Sequence, residues 1–202
     1  MFKHILIPLD GSRLAESVLP PAVELCKKMA AQVTLLHIIE KDASAEIHGE
    51  RHLTNEPEAC DYLGEIAAKY FSGVEKVERH VHTDEVSHVP DSIIQHSSEF
   101  KPDLIILCTH GQGGIRDMVA GSIAQQVVSN GSVPVLLVHP GQVFDGFRSL
   151  LVALDGDPEH DKALDVAADL ARVLEASLRL VRVVPTLDTL SGEHAALSTM
   201  MP

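Results

Sequence analysis

Short apolar runs, each followed by a stretch of helical periodicity, constrain this chain more than any other feature. Lys3-His-Ile-Leu-Ile-Pro-Leu9, Gln32-Val-Thr-Leu-Leu-His-Ile-Ile39, Leu104-Ile-Ile-Leu-Cys108 and Val133-Pro-Val-Leu-Leu-Val138 have strand length and almost no polar face. A strand that is apolar on both faces must be covered on both faces. Val74 to His82 adds a third strand in chain order, whose alternation predicts half exposure. Between the runs, Leu14, Val18, Leu19, Ala22, Leu25, Cys26 and Met29 share one helical face. Further helices are predicted over 56–71, over Val89–Phe100 and from Ile123 to Ser129. Pro20-Pro21 interrupts the first pattern and predicts a kink or a late helix start, because proline lacks an N–H and clashes with the preceding turn.

Strands alternating with helices imply parallel pairing and right-handed crossovers. The expected fold is α/β: a five-stranded, doubly wound parallel sheet in the order 3-2-1-4-5. In that order the topological switch lies between the first and fourth strands, and ligands bind at the carboxyl ends flanking it. Aromatic residues make up 3% of the chain and Trp is absent, so the core must come from Leu, Val, Ile and Ala.

The loop after the fourth strand falls at that switch. Cys108-Thr-His-Gly-Gln-Gly-Gly-Ile-Arg-Asp-Met-Val-Ala-Gly-Ser122 joins a buried strand to a helix and is rich in glycine. Bare backbone N–H groups and a helix N-terminus suit a phosphate. The plain alternative is a mobile linker, with Ser122 serving only as an N-cap. Asp10 ends the first strand, where it either accepts from a ligand hydroxyl or closes an Asx-turn. Arg116 and His110 read as loop groups. His48 and His52, near Glu46, Glu50 and Cys60, lack a third ligand at a defining spacing, so no metal site is read there. His80 and His82 read as surface.

A net charge of −13 disfavours nucleic acid and anionic membranes as partners. The three cysteines, Cys26, Cys60 and Cys108, form no CxxC pair. No leader-like segment precedes the first strand, and no apolar run approaches about 18 residues. The expected location is the cytoplasm.

Leu150-Leu-Val-Ala-Leu-Asp-Gly156 repeats Ile5-Leu-Ile-Pro-Leu-Asp-Gly11 at an offset of 145 residues. The match runs on without a gap: Leu25 corresponds to Leu170, Leu36 to Val181 and Ile38-Ile39 to Val183-Val184. The expected organisation is a domain over 1–140, a linker over 141–147, and an incomplete second β-α-β copy over 148–202.

These motifs together resemble the universal stress protein family. They are the Ile-Leu-Ile-Pro-Leu-Asp-Gly-Ser opening, the Leu-His-Ile-Ile strand end, Thr-His-Gly followed by nine residues and Gly-Ser, and the Val-Pro-Val-Leu-Leu-Val strand. The resemblance implies dimers paired through the fifth strand, Val133–Val138, and two branches, one of which binds ATP. That branch is marked by Gly-x-x-Gly, nine residues, then Gly-Ser or Gly-Thr. Here Gly111 and Gly121-Ser122 keep the spacing, and Cys108 stands at the first glycine position. Carried over by position, the resemblance implies nucleotide contact from Pro8, Leu9 and Asp10, from Ile38 at the adenine, and from Leu107, Cys108, His110 and Gly111. Gly121, Ser122 and Ile123 would hold the phosphates.

The expected function is adenine-nucleotide binding (ATP, with Mg²⁺) in a regulatory stress-response protein. No catalytic constellation is legible: GxxxxGK[ST] and G-x-S-x-G are absent, so any hydrolysis is expected to be slow. Two rivals stand beside this reading: a dimeric interaction module that binds no nucleotide, and a nucleotide-hydrolysing enzyme.

Overall fold

A computed structural model of the chain describes residues 1–43, 46–47, 50–109, 122–155, 157 and 161–182. Two compact units divide at Gly146 and Phe147. The first unit runs β1 (His4–Pro8), α1 (Arg13–Glu16), α2 (Leu19–Met29), β2 (Gln32–Glu40), β3 (Glu46–Ile47), β4 (Glu50–Arg51), α3 (Glu56–Tyr70), β5 (Val77–Val86), α4 (Val89–Phe100), β6 (Leu104–Cys108), α5 (Ser122–Asn130) and β7 (Val135–Val138).

Five of these strands form one sheet in the order β5-β2-β1-β6-β7. All four pairings are parallel, with Ile5 opposite both Val33 and Leu104. Counting only these strands, the order is the expected 3-2-1-4-5. The chain winds outward from β1 to β5, then crosses back to β6. Right-handed crossovers therefore place α2 and α3 on one face and α4 and α5 on the other. Their packing agrees: α2 meets α3, and α4 meets α5. Beneath α4 and α5 lies a buried cluster of Leu6, Leu36, Ile38, Ile93, Ile105, Leu107, Ala124 and Val127. Alternate positions of the same strands, Ile5 and Ile7 among them, are equally buried.

Local chemistry sets the element ends. Pro20 and Pro21 fall in the first turn of α2, where the missing N–H groups would have no intrahelical partner anyway. The first helical pattern thus becomes two helices, with the break at Ser17-Val18. β5 starts at Val77 and runs to Val86, later than the predicted Val74 to His82. Val74 N–H is taken by Phe71 O in a turn, and a register shift between Ile38 and Glu40 carries the β2–β5 ladder on to Val86. The polar stretch after β2 holds a short antiparallel ladder, β3 with β4.

The second unit contains β8 (Ser149–Leu154), α6 (Lys162–Leu174) and β9 (Ser177–Arg182), with β8 and β9 parallel. Its internal geometry reproduces that of the first unit at the sequence offset. His4 pairs with Gln32, and Ser149 with Ser177. Gln32 N–H donates to Lys3 O as Ser177 N–H donates to Arg148 O, each at 2.9 Å. α2 ends on Ala30 at φ 50°, and α6 ends on Glu175 at φ 57°. Asp10 Oδ1 accepts from Ser12 N–H and Asp155 Oδ1 from Asp157 N–H. The repeat is thus one of hydrogen bonding as well as of residue type.

Candidate functional site

A pocket opens where the winding reverses, at the carboxyl ends of β1 and β6 and beside that of β2. Pro8, Leu9 and Asp10 reach it from β1, Ile38 and Glu40 from β2, and Leu107 and Cys108 from β6. Ile123 and Ala124 enter from the first turn of α5, Val89 and Ile93 from α4, and Ala15, Leu36 and His52 complete the lining. The structure therefore brings together Pro8, Leu9, Asp10, Ile38, Leu107, Cys108 and Ile123. His110, Gly111 and Gly121 lie outside the described residues, as do Arg116 and His48. Ser122 is described only as the first residue of α5.

The β1–α1 turn is built around its polar groups. Asp10 Oδ1 accepts from Ser12 N–H at 2.8 Å, closing an Asx-turn. Ser12 is buried, and its Oγ accepts from Ala15 N–H at 3.1 Å as the N-cap of α1. Gly11 between them has φ +92°, and a Cβ there would lie 2.8 Å from Leu53 Cδ1. Asp10 is thereby oriented by one carboxylate oxygen. Among the described residues its Oδ2 has no hydrogen bond, so an acceptor remains to face a ligand. The buried ring of His37 secures the turn from below. Its Nδ1 lies 2.8 Å from Leu9 O and its Nε2 3.0 Å from Leu53 O.

Cys108 faces the same space. Burial, reinforced by the Asp10 carboxylate, pushes its thiol up to about 11. It is a protonated, weakly polar wall at neutral pH and not a nucleophile. The remaining described walls, Leu36, Ile38, Val89, Ile93, Leu107 and Ala124, are apolar. Asp10 and Glu40 are the carboxylates of the lining. Apolar walls with a spare carboxylate oxygen suit a flat base and a ribose diol. The two carboxylates disfavour an anion beside them, whereas the N–H groups at the α5 N-terminus favour one.

Sequence periodicity placed Val89 and Ile93 on a helix without indicating that the helix closes this pocket. His52, weighed in the sequence only as a metal pair with His48, is buried in the pocket lining. Glu50, its neighbour in the chain, instead pairs with Arg13 at 3.1 Å. The surface reading of His80 and His82 does not hold. Both are half-buried and pack against His96 of α4.

Residues 1–139 and 146–200 match the Universal stress protein family. A universal stress protein of Synechocystis is 32% identical over 138 residues, covering 68% of this chain and 86% of that protein. A solved universal stress protein of Archaeoglobus fulgidus aligns with 97% of this chain and 72% of its own length, at 20% identity and a TM-score of 0.67. A universal stress protein solved in complex with cAMP covers 68% of this chain and 97% of its own, at 17% identity and a TM-score of 0.52. The two structural likenesses speak to the fold.

Proposed function

The chain belongs to the universal stress protein family, and on that premise we propose that it binds an adenine nucleotide, ATP in the first place, in the pocket between β1 and β6. One observation carries the reading. Residues named from sequence alone, Asp10, Ile38, Leu107, Cys108 and Ile123 among them, line one pocket at the switch point of the sheet. The adenine packs against Ile38 and the apolar wall of α4. Asp10 Oδ2 accepts from a ribose hydroxyl. Gly121, Ser122 and Ile123 hold the phosphates through backbone N–H groups, Gly111 and His110 contribute further nucleotide contacts, and Mg²⁺ accompanies the phosphates.

In this proposal residues 1–140 carry the site, 141–147 act as linker, and 148–202 are a partial second copy. The protein works in the cytoplasm as a regulator whose assembly or shape responds to nucleotide, and it pairs as a homodimer through the outer edge of β7. Among the described residues no helix is long and apolar enough to cross a membrane. In this proposal any turnover is slow.

Equilibrium binding of labelled ATP, with ADP and cAMP as competitors, tests the reading. Saturable uptake with Mg²⁺ at or below millimolar ATP is expected. Gly121→Arg should abolish it while far-UV circular dichroism stays unchanged, because the new side chain fills the phosphate nest. Absence of saturable uptake at millimolar ATP sinks the proposal and leaves an interaction module. Phosphate release above the Gly121→Arg control identifies a hydrolase.

A further inference from the structure

On the sheet face that carries α4, three histidines from two elements converge. His80 and His82 are two apart on β5 and so point to the same side. His96 comes from α4, one turn after the pocket residue Ile93. One ring nitrogen from each of the three lies within 4.8 Å of the others. His96 Nε2 is already 3.0 Å from His82 Nδ1.

The surroundings select a ligating form of the rings. Glu99 Oε2 accepts from His96 Nδ1–H at 3.2 Å. That hydrogen bond places the ring proton on Nδ1 and leaves the Nε2 lone pair facing the other two rings. A carboxylate behind a histidine is the usual device for orienting a metal ligand and raising its basicity. Phe100 stacks on the His96 ring at 5.3 Å and 7°, and meets His80 edge-on at 5.1 Å, closing one side with an apolar wall. His96 is 4% exposed, whereas His80 and His82 are half-buried, so the group is anchored inside and reachable from solvent.

We propose that His80, His82 and His96 form a binding site for a divalent ion of the zinc class, with Glu99 orienting His96. Three imidazoles and an open fourth position for water are a recurrent zinc set. Imidazole nitrogens suit Zn²⁺, Cu²⁺ and Ni²⁺ rather than Mg²⁺ or Ca²⁺. Zn–N bonds of about 2.0–2.1 Å in a tetrahedron put ligand nitrogens about 3.4 Å apart. The His82–His96 pair is near that spacing, and side-chain rotation of the half-buried rings closes the third side. On binding, His82 carries its ring proton on Nε2, so no ring need lose a proton overall. The bound ion ties the edge strand β5 to α4.

Titration of the untagged full chain with Co²⁺, followed by its visible d–d absorption, and then displacement by Zn²⁺, tests the site. One equivalent of tetrahedral Co²⁺ is expected, displaced stoichiometrically by Zn²⁺. The double variant H80A/H82A, altered only at half-buried positions, should bind at least about 100-fold more weakly with an unchanged circular dichroism spectrum. Glu99→Gln should cost about 10–100-fold, the usual effect of removing an orienting carboxylate. Absence of a one-equivalent phase in the parent chain, or equal affinity in H80A/H82A, overturns the proposal.

Discussion

At Gly11 two separate demands fall on one atom that glycine lacks. Its φ of +92° is a conformation L side chains rarely adopt, and a Cβ would meet Leu53 Cδ1 at 2.8 Å and Cγ at 2.9 Å. The residue lies between Asp10, which faces the pocket, and Ser12, which caps α1. Gly141 offers a control, because it has φ +83° and nothing within 4 Å of a built Cβ. Gly141→Ala should therefore cost only backbone strain, about 1–2 kcal/mol. Gly11→Ala should cost more, about 2–3 kcal/mol, since Leu53 must also move. Urea denaturation of both variants measures the difference. Equal losses would mean that Leu53 yields freely and that the conformation alone demands glycine. At Cys108 the opposite holds: a side chain stands in the pocket wall, and burial keeps it protonated there.

Elements buried on both faces were legible in the sequence because burial leaves them no polar register. β1, β2 and β6 announced themselves as unbroken apolar runs and were found within a residue or so of their predicted bounds. β5 was harder. It is an edge strand carrying Glu78, Arg79, Asp84 and Glu85, and its end is fixed by a ladder beyond the register shift in β2, which no local pattern shows. The β3–β4 ladder has two residues per strand, too few for a period. The histidine group escaped for a different reason. His96 belongs to a helix, and only the crossover brings that helix over His80 and His82. β7, at the other edge, permits a test of the proposed pairing between copies. Ile105 N–H donates to Pro134 O and Thr109 N–H to Val138 O, so even-numbered residues of β7 face β6. The backbone groups of Val135 and Leu137 point outward. Leu137→Pro removes an outward donor without breaking a bond to β6, a position where sheets tolerate proline. If copies pair through this edge, light scattering should show the parent chain as a dimer and the variant as a monomer with its fold retained. A variant that stays dimeric places the contact elsewhere.

At the level of the whole molecule the two units differ in what they can bury. The first surrounds its sheet with helices on both faces, and Leu6, Ile7, Leu36 and Ile106 are fully enclosed. Among the described residues the second has two strands and one helix, reproducing the first unit's opening hydrogen bonds. Leu151 remains 67% exposed and Leu180 57%. A two-stranded sheet with one covering helix is below the size that is stable alone in water, because chain entropy outweighs so small a core. A chain of residues 1–146 should therefore unfold in one cooperative urea transition and keep whatever nucleotide binding the full chain shows, since every described pocket residue lies within it. A chain of residues 147–202 should lack a cooperative transition and the near-native helix content of α6. Circular dichroism of the two pieces distinguishes this from the converse. A second piece that folds cooperatively by itself would mean that local strand–helix–strand bonding suffices for its stability.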